Sequence, residues 1–194
     1  MTKIFFVFCL VTAFFTILLH SAFAFDFCVD PAGGGTHTDL QAALTQAAGN
    51  GQNDTIKVVQ GIYLGNFSYN SNEGYNLMIE GGYTSGCGCR KINPANTVLD
   101  GNMSGRVLVL EDTDGGDILV EGFTVRNGSG GSNHGGGIYA RSYSSLDSAG
   151  DITIKNNIVT GNNVADGYGG GIFSSSYAVC SDVSSNSRQY FADQ

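Results

Sequence analysis

Gly135-Gly136-Gly137-Ile138-Tyr139 returns 34 residues later as Gly169-Gly170-Gly171-Ile172-Phe173. Between the two copies lies a short apolar strand pattern flanked by asparagines. A phrase that recurs at such a period is typical of proteins built from stacked repeats. We therefore expect the six glycines to form the same turn in successive repeats, with Ile138 and Ile172 in one apolar column.

The repetition extends to strand patterns outside the glycine phrase. Residues 76–81 (NLMIEG), 117–122 (DILVEG) and 151–156 (DITIKN) share a polar first residue, apolar second and fourth residues and a charged fifth residue. Such alternation predicts short β-strands. The offsets between these segments differ, as expected if loops of different length emerge on one side of the repeats.

One short helix is predicted before the strands begin. Leu40, Ala43, Leu44 and Ala47 recur at helical intervals, Thr38 stands at a capping-box spacing from Gln41, and Gly49 ends the pattern. From Asp54 onward, short strands follow one another without helical patterns. An antiparallel sandwich is the alternative architecture, but recurrence of one strand pattern favours stacked parallel coils about 4.8 Å apart.

Three groups of residues carry a family resemblance. Residues 38–48, followed by 54–58 and 61–63, resemble the opening of right-handed parallel β-helix proteins of the pectin-lyase-like superfamily. Residues 79–83, 98–101 and 122–128 are similar to its secreted bacterial branch, and the doubled glycine phrase resembles repeats of polymorphic outer-membrane proteins. The resemblance implies an all-β, right-handed parallel β-helix (solenoid) with a short N-terminal capping α-helix.

The N-terminal residues are typical of an export signal. Lys3 precedes an apolar run from Ile4 to Leu19, and Ala22-Phe23-Ala24 fits the small-residue rule for cleavage. A membrane anchor, the alternative, needs about 20 apolar residues, which this run barely approaches. We predict a signal peptide (1–24) and a secreted or cell-surface protein that is not transmembrane after cleavage.

The mature chain divides into three parts by its patterns. We predict an N-terminal segment with the capping helix (25–53), β-helix coils (54–177) and an irregular tail (178–194). The tail lacks the strand and the asparagine-rich turn that should follow Gly169–Tyr177. We therefore expect a truncated or frame-shifted fragment of a longer repeat protein.

The charge of the mature chain limits its partners. The sequence has 17 acidic and 9 basic residues, and loss of Lys3 with the signal leaves a net charge of −9. This charge repels phosphate backbones, so we expect no nucleic-acid partner. Acidic polysaccharide is also disfavoured unless calcium bridges the two surfaces.

Four cysteines remain after cleavage: Cys28, Cys87, Cys89 and Cys180. Export permits disulfides, but sequence alone does not fix their connectivity. We expect a staple from Cys28 or Cys180 to the loop that contains Cys87 and Cys89. Zinc binding would need further Cys or His ligands at suitable spacing.

One dense carboxylate run, residues 111–117, is the candidate chemical site. Asp112, Asp114 and Asp117 could present oxygen ligands to calcium, the one cofactor considered, with Arg106 or Arg126 as the base of a polysaccharide lyase. The run lacks the spacing of known calcium loops, and an acidic turn between strands is the ordinary interpretation. The catalytic residues of any enzyme stay unknown, and the polygalacturonase motifs are absent.

Tyrosines are a second set of candidate binding residues, because aromatic platforms bind sugar rings. Tyrosine is also common in strands for ordinary packing reasons. The candidates are Tyr63, Tyr69, Tyr75, Tyr83, Tyr139, Tyr143, Tyr168 and Tyr177.

The sequence favours a non-catalytic, adhesin-like scaffold or passenger fragment over an enzyme, with a polysaccharide or a host or cell-surface component as partner. The alternative is a carbohydrate-active enzyme, either a lyase or a hydrolase, of the same superfamily.

Overall fold

A computed structural model describes residues 24–145 and 148–179. The predicted signal, Cys180 and most of the predicted irregular tail lie outside these residues. The described part contains one helix and thirteen strands: β1 (Phe25–Val29), α1 (Leu40–Ala47), β2 (Asp54–Val59), β3 (Gly61–Leu64), β4 (Phe67–Ser71), β5 (Leu77–Tyr83), β6 (Thr97–Asp100), β7 (Leu108–Asp112), β8 (Ile118–Glu121), β9 (Thr124–Arg126), β10 (Ile138–Ser144), β11 (Ile152–Lys155), β12 (Ile158–Thr160) and β13 (Ile172–Ala178).

The strands form three parallel sheets that the chain visits in turn. Sheet A has the order β1-β2-β5-β8-β11, sheet B the order β12-β9-β6-β3, and sheet C the order β13-β10-β7-β4. From β5 onward, each strand therefore pairs with the strand three places earlier. The prediction of a mostly β protein with one helix is confirmed, and the antiparallel sandwich is wrong because all paired strands run parallel.

Strand register places the two glycine phrases directly against each other. Ile138 of β10 pairs with Ile172 of β13 on one side and with Leu108 of β7 on the other. Ile138 and Leu108 are fully buried, and Phe67 of β4 continues the same column. Sequence repetition thus becomes a column of apolar side chains across sheet C.

The glycines are needed where the backbones of the two phrases touch. Gly135 and Gly169 have φ of +70° and +67°, which glycine adopts without strain. A Cβ atom on Gly136 would lie 2.7 Å from the carbonyl oxygen of Gly170 and closer still to that of Asn163. The Gly137 amide donates to the carbonyl oxygen of Gly170 at 3.1 Å.

A ladder of Asn and Asp side chains joins the repeats directly before strands β2, β5, β8 and β11 of sheet A. The Oδ1 atom of Asn53 accepts from the Asn76 amide at 2.9 Å, and that of Asn76 accepts from the Asp117 amide at 2.9 Å. Asp117 in turn accepts from the Asp151 amide at 2.8 Å. The ladder thus has asparagines at its first two positions and aspartates at its last two.

Helix α1 packs beside the first strand of sheet C. The Gln41 side chain accepts from the Ser68 amide at 2.7 Å and donates to the Ser68 carbonyl at 2.8 Å. The N-cap is Asp39, whose carboxylate accepts from the Ala42 amide at 2.8 Å, and not Thr38 as the capping-box spacing suggested. The capping residue is thus one position later, directly before the first helical residue.

A buried carboxyl begins β2. Asp54 is 3% exposed, and its Oδ1 atom accepts from the Asn50 amide group at 2.8 Å. Burial raises the pKa of Asp54 to about 6, and the charge of Glu73 adds to this effect, while the hydrogen bond from Asn50 opposes it. The folded state therefore favours the protonated form of Asp54 more than the unfolded state does.

Gly136→Ala should destabilise the protein, because its Cβ would overlap two carbonyl oxygens. We expect a loss of about 2 kcal/mol or more in the free energy of unfolding, measured by urea denaturation. Gly170→Ala is the matched control, since the nearest atom to its Cβ outside the neighbouring residues would be the Asn162 carbonyl oxygen, at 3.4 Å. Equal losses in the two variants would contradict the stacking of the two phrases.

Asp54→Asn should stabilise the protein at pH 8 but not at pH 4. The folded-state pKa lies above the unfolded value, so stability from the protonated carboxyl is present below pH 4 and lost as pH rises through about 6. We expect a gain of about 2 kcal/mol at pH 8, measured by urea denaturation. Asp166→Asn, at an exposed carboxyl, is the control. A gain that is the same at both pH values would refute this assignment.

Candidate functional site

The outer face of sheet C carries an aromatic cleft formed by two successive repeats. Inward and outward side chains alternate along a strand, so β10 and β13 each direct every second residue outward. The cleft has a volume of about 280 Å³. Its lining residues are His134, Tyr139, Arg141, Tyr168, Phe173, Ser175 and Tyr177.

One side of the aromatic cleft is a stack of rings. Tyr139 pairs with Phe173 in the strand register, and their ring centroids are 5.2 Å apart with planes inclined by 9°. The Arg106 guanidinium lies 4.3 Å from the Tyr139 centroid. The His134 ring stacks on Phe173 at 4.7 Å and on Tyr168 at 5.2 Å. These contacts join the rings into one stack, of which Tyr168 is the most exposed member.

His134 also fixes the turn that carries Tyr168. Its Nδ1 atom accepts from the Tyr168 amide at 2.8 Å, which requires the tautomer with the proton on Nε2. The backbone around Tyr168 is held in turn by the Gly135 amide, which donates to the Tyr168 carbonyl at 3.0 Å. The first glycine phrase thereby positions an aromatic residue of the next repeat.

The other side of the cleft is built around Arg141. Its guanidinium lies 5.1 Å from the Tyr177 centroid and 5.7 Å from that of Tyr143, and it donates to the Tyr177 hydroxyl. The nearest carboxylate partner is Glu111, at 3.9 Å. Arg141 is therefore held mainly by aromatic contacts, with only a loose ion pair.

The eight candidate tyrosines do not form one platform. Tyr63, Tyr69 and Tyr83 are buried in or beside the core, and burial raises the pKa of Tyr69 to about 12. Tyr75 lies between β4 and β5. The four that gather on the outer face of sheet C are Tyr139, Tyr143, Tyr168 and Tyr177.

Sequence reasoning did not identify His134, Arg141 and Phe173 as members of this site. The available signal was the pair of patterns Y-x-R-x-Y (139–143) and F-x-S-x-Y (173–177), which lie 34 residues apart. That offset equals the offset of the glycine phrases, so the two patterns had to share a face.

The carboxylate run directs its side chains to different places. Asp112 is 1% exposed, and its Oδ1 atom accepts from the amides of Asp114 and Gly116 at 3.0 and 2.8 Å. Asp117 belongs to the Asx ladder, and Asp114 is exposed. Among the described residues, no group of three or more His, Cys, Asp or Glu side chains is arranged to hold a metal ion. Calcium binding by this run stays a prediction.

The two arginines considered as lyase bases have structural contacts. Arg126 Nε donates to the Asp100 carboxylate at 2.8 Å, and Arg106 lies over Tyr139. Hydrogen bonds from the Asn102 amide and the Asn127 side chain, together with Arg126, hold the pKa of Asp100 below its usual value. The Asp100 to Arg126 contact thus links two adjacent strands of sheet B.

A pair of neighbouring carboxylates on sheet A is bridged by one arginine. Glu80 and Glu121 are partners in the strand register, and Arg90 contacts each carboxylate at 2.9 Å. Burial alone would raise the pKa of Glu121, but hydrogen bonds from Asn156 and Arg90 and the charges of Arg90 and Lys155 lower it. The arrangement favours the ionised form of Glu121, which suits an ion pair rather than a proton donor.

The loop that carries Arg90 is tied to β1 by a disulfide. Cys28 and Cys87 are bonded, with Cα atoms 5.8 Å apart, which is one of the pairings that the sequence left open. Asp30 supports the same loop by accepting from the Ser85 hydroxyl and the Gly86 amide, and these bonds lower its pKa. Cys89 is exposed and has no disulfide within the described part of the chain.

Two negative results bear on the class of protein. Within residues 24–145 and 148–179, no helix has both the length and the apolar character needed to cross a membrane. Comparisons with protein families, with curated proteins and with solved structures give no match.

Proposed function

We propose that this chain is an exported, right-handed parallel β-helix that serves as a non-catalytic, adhesin-like binding scaffold. The order of strands supports the solenoid, because three parallel sheets are visited in turn by four successive sets of strands. Right-handed connection between parallel strands is the strong general preference. The contacts of α1 with β4 support its role as the N-terminal cap.

Export and a surface location are supported by the cysteine chemistry. The Cys28 to Cys87 disulfide closes a loop of 59 residues, and such bonds persist in oxidising compartments. This agrees with the N-terminal signal pattern. A secreted or cell-surface scaffold would use its outer faces for contact with a partner.

The single observation that carries the binding role is the aromatic cleft. It is an outward-facing cleft of about 280 Å³, lined by side chains from two repeats whose positions are fixed by stacking. By contrast, the carboxylate pairs of sheet A and the Asp100 contact of sheet B are occupied by arginines. The charged groups in those two places stabilise the fold and are not positioned for acid and base catalysis.

A polysaccharide lyase is the second candidate, favoured by one observation. The Oδ2 atom of Asp112 is buried and has no hydrogen-bond partner among the described residues. A calcium ion bound there with Asp114 and Asp117 would need those side chains to move together. A lyase therefore requires a rearrangement of this acidic turn, whereas a binding scaffold does not.

We expect the mature chain, residues 25–194, to release no product from acidic or neutral polysaccharides, with or without calcium. The assay follows unsaturated products and new reducing ends. Calcium-dependent release that is abolished by Asp114→Ala, but not by the matched exposed variant Asp166→Ala, would overturn the proposal. A calcium-dependent rise in melting temperature without product would instead indicate a calcium-stabilised scaffold.

A further inference from the structure

Building on the proposed scaffold function, we propose that the aromatic cleft is a docking site for an acidic segment of a protein partner. Three features carry this inference: how the ring faces are occupied, where the cations of the chain lie, and which residue types line the cleft. Each of them bears on the chemistry of the occupant.

The faces of the central ring are already used within the protein. Phe173, from the repeat after Tyr139, stacks on it at 5.2 Å, and Arg106, from the repeat before, lies 4.3 Å from its centroid. A sugar ring that stacks flat on Tyr139 would compete with these contacts. Ring edges carry the positive part of the aromatic quadrupole, so they attract negative groups.

The two arginines in or beside the cleft, Arg141 and Arg106, are less closely paired with carboxylates than the other two arginines of the described residues. Arg90 and Arg126 contact carboxylates at 2.9 and 2.8 Å. Arg141 has only the contact with Glu111 at 3.9 Å, and Arg106 has no carboxylate within 4.0 Å in the described part of the chain. The protein has a formal net charge of −8. Within the cleft, however, an incoming carboxylate would meet the Arg141 guanidinium, whose own ion pair is loose.

The residue types that line the cleft are those of protein interfaces. Tyrosine and arginine dominate the binding energy of many interfaces, and serine adds adaptable hydrogen bonds. Ser175 of β13 is the register partner of Arg141 in β10, and Tyr177 lies two residues further along β13. A volume of about 280 Å³ holds a few side chains of a peptide segment rather than a whole domain.

The test uses the mature chain and two labelled decapeptides, (Glu-Gly)5 and (Gln-Gly)5, in fluorescence anisotropy. We expect the glutamate peptide to bind with Kd of about 100 µM, at least about tenfold more tightly than the glutamine peptide, with affinity that falls as salt rises. Equal affinity for the two peptides, or no binding of either, would overturn the proposal.

Two variants with the same change of charge locate the site. Arg141→Gln should weaken binding of the glutamate peptide by about tenfold, as expected for loss of a charged hydrogen bond. Lys91→Gln removes an exposed cation outside the cleft and should change Kd by less than about twofold. Equal effects of the two variants would refute the location.

Two further measurements keep the outcome clear. Arg141→Gln could lose binding through a loss of stability, which a lower melting temperature would reveal. In that case the unaltered protein provides the test: the side-chain NMR signals of His134 and Phe173 must shift when the glutamate peptide is added. Unchanged signals would refute the site. Displacement of the peptide by a neutral or carboxylated oligosaccharide of equal or higher affinity would show that the partner is a glycan and that the peptide assignment is wrong. None of these outcomes depends on product release, which tests the scaffold proposal separately.

Discussion

Parallel pairing between equivalent strands of successive repeats is the constraint on which the rest of the structure depends. Neighbouring strands lie about 4.8 Å apart, so whatever stands at one position must tolerate its counterpart in the next repeat at that distance. Aliphatic side chains meet this condition inside, as in the column that contains Leu108, Ile138 and Ile172. At the turns, glycine allows direct backbone contact, and Asx side chains accept from the amide one repeat later.

The same constraint decides what the outer faces can do. Like charges that are stacked by the register need a counter-ion, and Arg90 supplies it to Glu80 and Glu121 from a loop held by the Cys28 to Cys87 disulfide. On sheet C the stacked residues are aromatic instead, and they leave a cleft. Charge therefore supports the fold on sheet A, while the aromatic side chains of sheet C line a cleft at the surface.

The sequence was sufficient for features that depend on local pattern, and insufficient for features that depend on distant alignment. Alternation predicted the strands, helical spacing predicted α1, and the glycine phrases predicted that Ile138 and Ile172 share a column. The N-cap was wrong by one residue because Thr38 and Asp39 are both good capping residues. The cleft was missed because it also needs His134 and Tyr168, which lie in turns, to stack beside Phe173, and no spacing predicts that contact. Likewise, spacing could not show that Arg126 would be bound to Asp100.

Disulfide cross-linking between outward residues of sheet A tests the parallel register most directly. Met78 of β5 pairs with Leu119 of β8, and Leu119 pairs with Thr153 of β11. In a background with Cys89→Ser and Cys180→Ser, cysteines at 78 and 119 should cross-link readily on mild oxidation, because their Cα atoms would be about 5 Å apart. Cysteines at 78 and 153 should not cross-link within one chain, because they lie two strands apart, at about 10 Å. Cross-linking of the second pair, or failure of the first, would contradict the stacked register on which this account rests.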